Sequence, residues 1–431
     1  EKKRVYNKLQ KEIVSLYPTY YKLRYEAPTV SIADLQSDIL NEGENLVSFF
    51  TGEDNLFVFV INHRGAAFHR IAKDFPLETW VEEFCNSIYH FNPGSEDYGL
   101  LIQKFNNIGN EIYNLVFKPI EPSLSGNKLI IIPSGILGYL PFEALLTATP
   151  ENYTDFDGHA YLIQDYQVSY DYSATQLYET ASKTVSGKGN VQFAPSYKGD
   201  TLTLSRDSWS MVLNQLKYNR EEATLVNKLI GGRLFLDSLA TRDAFIKFGP
   251  DARLIHLATH GKANDENGEF SYLAFYPISN DQNDELLFVK DLYNLQLKAD
   301  MVVLSACETG IGEYQRGEGI LSLARGFLFA GASSIVTTLW SIDDRASSQI
   351  IETFYSNLKA GQEKDEALRN AKLTYLNRNK GSNRSHPLFW AAFVPVGKME
   401  PIRQEGRHLW YWLAGAGLLI SGFFIYRRKK A

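Results

Sequence analysis

The sequence predicts an α/β protein built on a largely parallel sheet, and three observations predict it. From residue 190 onward the apolar runs VQFAPSY, GRLFLD, ARLIHLATHG, YLAFYP, ADMVVLSACETG and SSIVTTLWSIDD are too continuous for strands wetted on one face, where polar residues would alternate. Several of these runs are separated by stretches of helical period: REEATLVNKLI, TRDAFIKFG, GEGILSLARGFLFAG, RASSQIIETFYSNLKAG and KDEALRNAKLTYL. Strands alternating with helices make a sheet covered on both faces. The chain of 431 residues is 44% hydrophobic and 22% charged, enough apolar material for a large core spread over two or three structural units.

The elements follow in order. Residues 1–27 form a helical segment, with Val5, Leu9, Ile13 and Leu16 at helical spacing and Pro18 as its break. Residues 28–180 open with three β-rich runs, LVSFFTG, NLFVFVIN and AAFHRIA, whose turns at 52–55 and 63–65 predict an antiparallel meander. Helices are expected at 77–89 and 98–118, then an apolar strand in KLIIIPSGILGYLPFEAL that leaves the sheet at Pro133, and one further strand over 161–170. The small, polar, glycine-bearing stretch 181–190 marks a boundary, after which residues 186–397 make the second unit.

Beyond a linker at 398–408, Leu409 to Tyr426 runs without a charge and is followed by a cationic tail at 427–431. At about 1.5 Å per residue it reaches roughly 27 Å, and aromatics stand at both ends, so a single transmembrane helix is expected at 409–426. Lys398, Arg403 and Arg407 on the other flank leave its orientation open. The chain opens at Glu1 rather than Met, which suggests sequence upstream.

Composition also narrows function. The formal charge of −6 is spread without a basic stripe, so nucleic-acid binding is not expected. The two cysteines, Cys85 and Cys307, make neither a disulfide framework nor a paired-cysteine metal site. No metal site and no cofactor is expected.

Chemistry in an open parallel sheet collects beyond the carboxyl ends of the strands. Four loops qualify: Pro195-Ser196-Tyr197, His260-Gly261, Cys307 to Gly310, and Trp340 to Asp343. His256 lies within its strand and reads as a hydrogen-bonded core histidine. His260 stands where the same strand runs out into a glycine, and Cys307 ends VVLSAC in the same manner. Within one β-α-β crossover of each other, these two residues have the spacing of an imidazole and a thiol on neighbouring strand ends. Cys307 is then the nucleophile, His260 the acid and base, and the backbone N–H groups of Gly261 and Cys307 the oxyanion donors. Cys85, inside an amphipathic helix, reads as packing.

HLATHG, LSACETG, GEGILSLARGFLFAGASSIVTTLWSIDD and HPLFWAAFVPVG, with IIIPSGILGYLPFEAL and LKYNREEATLVNKLIGG before them, closely resemble the CHAT domain over about residues 28–397. This family of bacterial caspase-like cysteine peptidases is related to caspases and separase. The resemblance implies a caspase-like three-layer α/β/α fold, with His260 and Cys307 as the dyad and residues 28–180 as a degenerate copy of the protease unit. It also implies an upstream tetratricopeptide array, of which residues 1–27 would be the last helix, and an endopeptidase in bacterial antiphage or cell-death signalling, which the segment 409–426 would anchor to a membrane. Its partners would be a protein substrate and a regulatory partner or the upstream repeats. The alternative is a catalytically silent scaffold.

The sequence around the cysteine, Ser305-Ala306-Cys307-Glu308-Thr309, departs from the caspase pattern, so preference for aspartate does not carry over. Candidates for contacting substrate are Asp343, Trp340 and Ser305. Two readings stay open for Asp343, selection of a basic residue by charge and capping of the next helix. With a helix and a strand filling the stretch after Cys307, no processing loop is visible. Activation by a partner is expected instead, with loops 262–270 and 279–286 ordering upon it.

Overall fold

The computed structural model describes residues 29–197, 201–206, 209–264, 267–278, 285–305 and 321–402. Strands β1 (Glu44–Thr51), β2 (Asn55–Asn62) and β3 (Gly65–Ala72) form the expected antiparallel meander. Helices α1 (Leu77–Tyr89) and α2 (Tyr98–Ile112) follow. The helix expected to reach 118 changes to a π turn at Tyr113–Phe117 and a 3-10 stretch at Lys118–Ser123, where Pro119 and Pro122 cannot donate to a helical ladder.

After β4 (Lys128–Ile132), the single strand expected over 161–170 is divided. Leu162–Asp165 is one helical turn, and only β5 (Gln167–Tyr170) is extended. The cause is tertiary. The Arg369 guanidinium, distant in sequence, donates to the carbonyls of Ile163, Gln164 and Tyr166 and so satisfies the end of that turn.

Helix α3 (Ala174–Ser182) leads through 183–189 to β6 (Asn190–Ala194). This connection is pinned to its neighbours. The Gly187 N–H donates to the Lys298 carbonyl at 3.0 Å, and a Cβ there would lie 2.5 Å from the carbonyl oxygens of Ala252 and Lys298. A hairpin of β7 (Thr201–Arg206) and β8 (Trp209–Asn214) comes next, then α4 (Asn219–Ile230), β9 (Arg233–Leu236), α5 (Arg242–Phe248) and β10 (Leu254–Leu257). The short strands β11 (Gly261–Lys262), β12 (Tyr272–Ala274) and β13 (Leu286–Phe288) precede α6 (Val289–Leu292) and β14 (Met301–Leu304). The remaining elements are α7 (Leu321–Phe329), β15 (Ser334–Thr338), α8 (Asp344–Lys359), α9 (Lys364–Arg378) and β16 (Phe393–Gly397).

Among the described residues, eleven strands join in one sheet, in the order β3-β2-β1-β4-β5-β16-β15-β14-β10-β6-β9. Apart from the meander and the β15–β16 pair, every pairing is parallel. Strand β16 lies antiparallel to β15 and parallel to β5, so it joins the strands before residue 180 to those after 190. Its sequence, FVPVG, does not announce a central strand, because Pro395 has no N–H to give the ladder.

The register separates the two faces. His256 pairs with Gln192 and faces α4 and α8 through Glu222 and Tyr355. Leu257 pairs with Phe193, whose ring meets Phe245 of α5, which in turn meets Phe327 of α7. The outcome is a mixed α/β fold with helices on both sides of a largely parallel sheet.

The expectation of a single-pass membrane protein is corrected. Among the described residues no helix is long and apolar enough to cross a membrane, the long helices α2, α8 and α9 being interrupted by charged and polar side chains. Residues 409–426, like 1–27, lie outside the described residues.

Candidate active site

Strands β10 and β14 are hydrogen-bonded neighbours, parallel and in register from Leu254 with Met301 to Leu257 with Leu304. They therefore leave the sheet at the same edge, one leading to His260 and the other, through Ser305, towards Cys307. The connection between them differs from the simple crossover expected. It carries a separate antiparallel sheet, β11-β12-β13, and the single turn of α6. YLAFYP belongs to this small sheet, where Tyr272–Ala274 pairs with β11 and β13, and not to the large one.

His260 is 3% exposed. Its Nε2 lies 2.5 Å from the carbonyl oxygen of Asn214 at the end of β8, and its ring stacks on Tyr197 with centroids 6.2 Å apart. A carbonyl only accepts, so Nε2 carries the proton and Nδ1 is the basic nitrogen of the neutral ring. Gly261 opens β11 in register with Leu273, while the His260 carbonyl accepts from the Ala274 N–H at 2.8 Å. The Thr259 hydroxyl donates to the carbonyl of Ala274. Both sides of the His260 backbone are thus tied to the small sheet.

Asn219, at the start of α4, gathers the strand ends. Its Nδ2 donates to the Pro195 carbonyl at 2.8 Å and to the Ala258 carbonyl at 3.3 Å, while the Tyr197 N–H donates to Gln215 Oε1 at 2.7 Å. Sequence reasoning picked out the Pro195-Ser196-Tyr197 loop but missed Asn219 and the Asn214 carbonyl. LKYNREE contained Asn219; a backbone carbonyl leaves no signal in residue type.

His256 has the core role expected of it. It is 1% exposed, with Nδ1 at 3.1 Å from the Tyr355 hydroxyl and Nε2 at 3.1 Å from Glu222 Oε1. The other Glu222 oxygen accepts from the Ser347 hydroxyl at 3.1 Å, and Ser347 Oγ lies 3.2 Å from Ser305 Oγ. A buried polar chain therefore runs from the core to the exit of β14.

The remaining candidates have defined partners. Ser305 donates its N–H to the Leu257 carbonyl at 3.0 Å. Trp340 is buried, donates from Nε1 to the Leu388 carbonyl at 3.0 Å and packs against Tyr89 of α1. Asp343 caps α8, accepting from the Ala346 N–H at 3.0 Å, and meets Arg384 at 2.5 Å. Of its two readings, capping is the one its contacts display. Cys307 lies outside the described residues, as do residues 265–266 and 279–284 of the two activation loops. Cys85 is packing: buried in α1, its thiol is directed at the Tyr139 carbonyl at 3.4 Å, and burial pushes its pKa up to about 12, far from thiolate character at neutral pH.

Comparison with known proteins fits this geometry. A family model described as the CHAT domain matches residues 106–398, well over half of the chain. Tetratricopeptide repeat protein 28 of Mus musculus is 24% identical over 325 residues, and that of Homo sapiens 25% over 329. Each match covers 66% of this chain and 13% of the relative, so the chain spans a small part of the length of these relatives. Both are mammalian, and nothing in them supports the bacterial setting or the antiphage role that the resemblance implied. In three dimensions, separase in the Saccharomyces cerevisiae separase–securin complex superposes with a TM-score of 0.53 at 12% identity, over 85% of this chain and 30% of that one. The fold is similar to that of the matched part of separase.

Proposed function

The chain belongs to the CHAT domain family, and on that premise we propose that it is a cysteine-type endopeptidase using Cys307 and His260. The observation that carries the proposal is the parallel β10–β14 register, which brings the strand ends bearing His260 and leading to Cys307 side by side. Asn214 supports it further by holding the proton on His260 Nε2 and leaving Nδ1 as the base. In this reading His260 Nδ1 takes the proton of the Cys307 thiol, and the thiolate attacks a peptide carbonyl. His260 protonates the departing amine and then takes a proton from the water that hydrolyses the thioester. The N–H groups of Gly261 and Cys307 stabilise the oxyanion. Ser305 and Asp343 line the approach of the substrate, with the buried Trp340 packed behind them, and residues 28–180 are a degenerate copy of the protease unit. A partner or upstream repeat region gates the site through the loops at 262–270 and 279–286.

An activated-carbonyl peptide probe tests the chemistry. With the gating partner supplied, covalent labelling and peptide turnover are expected in the wild type, and Cys307→Ala or His260→Ala should lower turnover by at least about a thousandfold. Full turnover by the isolated chain would exclude gating. A second reading is favoured by the relatives themselves: the match to a tetratricopeptide repeat protein suits a silent scaffold. Absence of labelling, with and without candidate partners, would favour it.

A further inference from the structure

We propose that Glu222, acting through Ser347, is a positioning residue that fixes the exit of β14 and so governs the reactivity of Cys307. This rests on the nucleophile reading above. The direction of the hydrogen bonds follows from the donors available. The Glu222 carboxylate accepts at Oε1 from His256 Nε2 and at Oε2 from the Ser347 hydroxyl. Ser347 has spent its only proton there, so its oxygen accepts from the Ser305 hydroxyl at 3.2 Å. The chain of donors runs inward from the strand end and terminates on one carboxylate.

Ser347 is 4% exposed, Glu222 3% and His256 1%, so water cannot stand in for a missing member. Ser305 is held twice, by its N–H on the Leu257 carbonyl and by its hydroxyl on Ser347. The peptide unit leading to 306 and 307 departs from that doubly held residue. The first turn of α4 thus governs three strand ends: Asn219 binds the carbonyls after β6 and β10, and Glu222, through Ser347 in the first turn of α8, binds the residue after β14. A carboxylate buried against an imidazole and a hydroxyl gains little stability over an apolar replacement. What it supplies is a definite geometry.

The test is the rate at which iodoacetamide alkylates Cys307 between pH 5 and 9, read by mass spectrometry of the Cys307 peptide from the intact chain. Ser347→Ala and Ser305→Ala should each slow alkylation about tenfold and move its pH midpoint upward, as expected when a thiolate loses its setting. The double variant should be no slower than either single one, because both break the same link. Ser305→Thr keeps the hydroxyl and should stay within about threefold of wild type. Glu222→Gln should match the alanine variants; if it does not fold, the serine variants carry the test. Alanine variants that alkylate like wild type, or Ser305→Thr behaving like Ser305→Ala, would overturn the proposal. Alkylation is measurable whether or not peptides are cleaved. A wild type that cleaves nothing and is not labelled by the peptide probe, with and without candidate partners, overturns the protease reading, whereas alkylation indifferent to Ser347 overturns this one.

Discussion

Asp171, directly after β5, donates its N–H to the Ile131 carbonyl and accepts from the Tyr172 N–H at Oδ1, 2.7 Å away, while Oδ2 has no partner among the described residues. Burial pushes its pKa from 3.8 up to about 7, against the lowering effect of the Tyr172 and Ser173 N–H groups. For an acid raised in this way, the folded state binds more protons than the unfolded state between those two values. Its contribution to stability is fully present below pH 3.8 and is lost as pH rises through about 7. Asp171→Asn imitates the protonated acid. It should raise the melting temperature at pH 8, with the gain shrinking towards pH 4 in a series of thermal melts. Equal melting temperatures for variant and wild type at pH 8 would show that the ionised carboxylate is not penalised.

At the scale of elements, α9 is fastened to the N-terminal strands by a buried ion pair. The Lys372 ammonium, with no exposed side-chain surface, lies 2.6 Å from Glu143 Oε1, and the Tyr170 hydroxyl of β5 donates to the other oxygen at 3.0 Å. Removing one member of such a pair strands the other charge in the interior, at about 3–5 kcal/mol. Lys372→Met should therefore cost that much in a guanidinium titration, and adding Glu143→Gln should recover most of the loss. If the single and double variants are equally destabilised, the pair is not the tie it is taken for. The same element supplies Arg369, whose capture of three carbonyls turns 162–165 into a helical turn.

For the molecule as a whole, the decisive strand is β16, which lies between β5 and β15 and makes one sheet of the strands on either side of 181–190. Neither side can lose its pairing there without exposing a buried edge. One cooperative unfolding transition is expected over 29–402. Denaturation followed by hydrogen exchange in β4 should coincide with that in β10, and separate midpoints would mean two independently stable units. His386 adds a global pH dependence: burial, and then the charge of His159, hold its pKa well below 6.5. The unfolded chain takes up this proton first, so stability conferred by the neutral ring is present above pH 6.5 and falls as the pH drops below it.

The sequence by itself determined the strands from VQFAPSY to SSIVTTLWSIDD, the meander and the core role of His256. A continuous apolar run or a period-2 run is a local property that burial alone produces. It also placed His260 just beyond a strand end, from a glycine immediately after an apolar stretch. Only the tertiary structure decided that Asn214 orients that histidine, that Glu222 and Ser347 reach Ser305, that a proline-bearing segment lies in the middle of the sheet, and that 162–165 is helical. Each of these depends on a hydrogen bond between residues far apart in the chain. No local pattern records such a bond, because its free energy exists only once both partners have been brought out of water together.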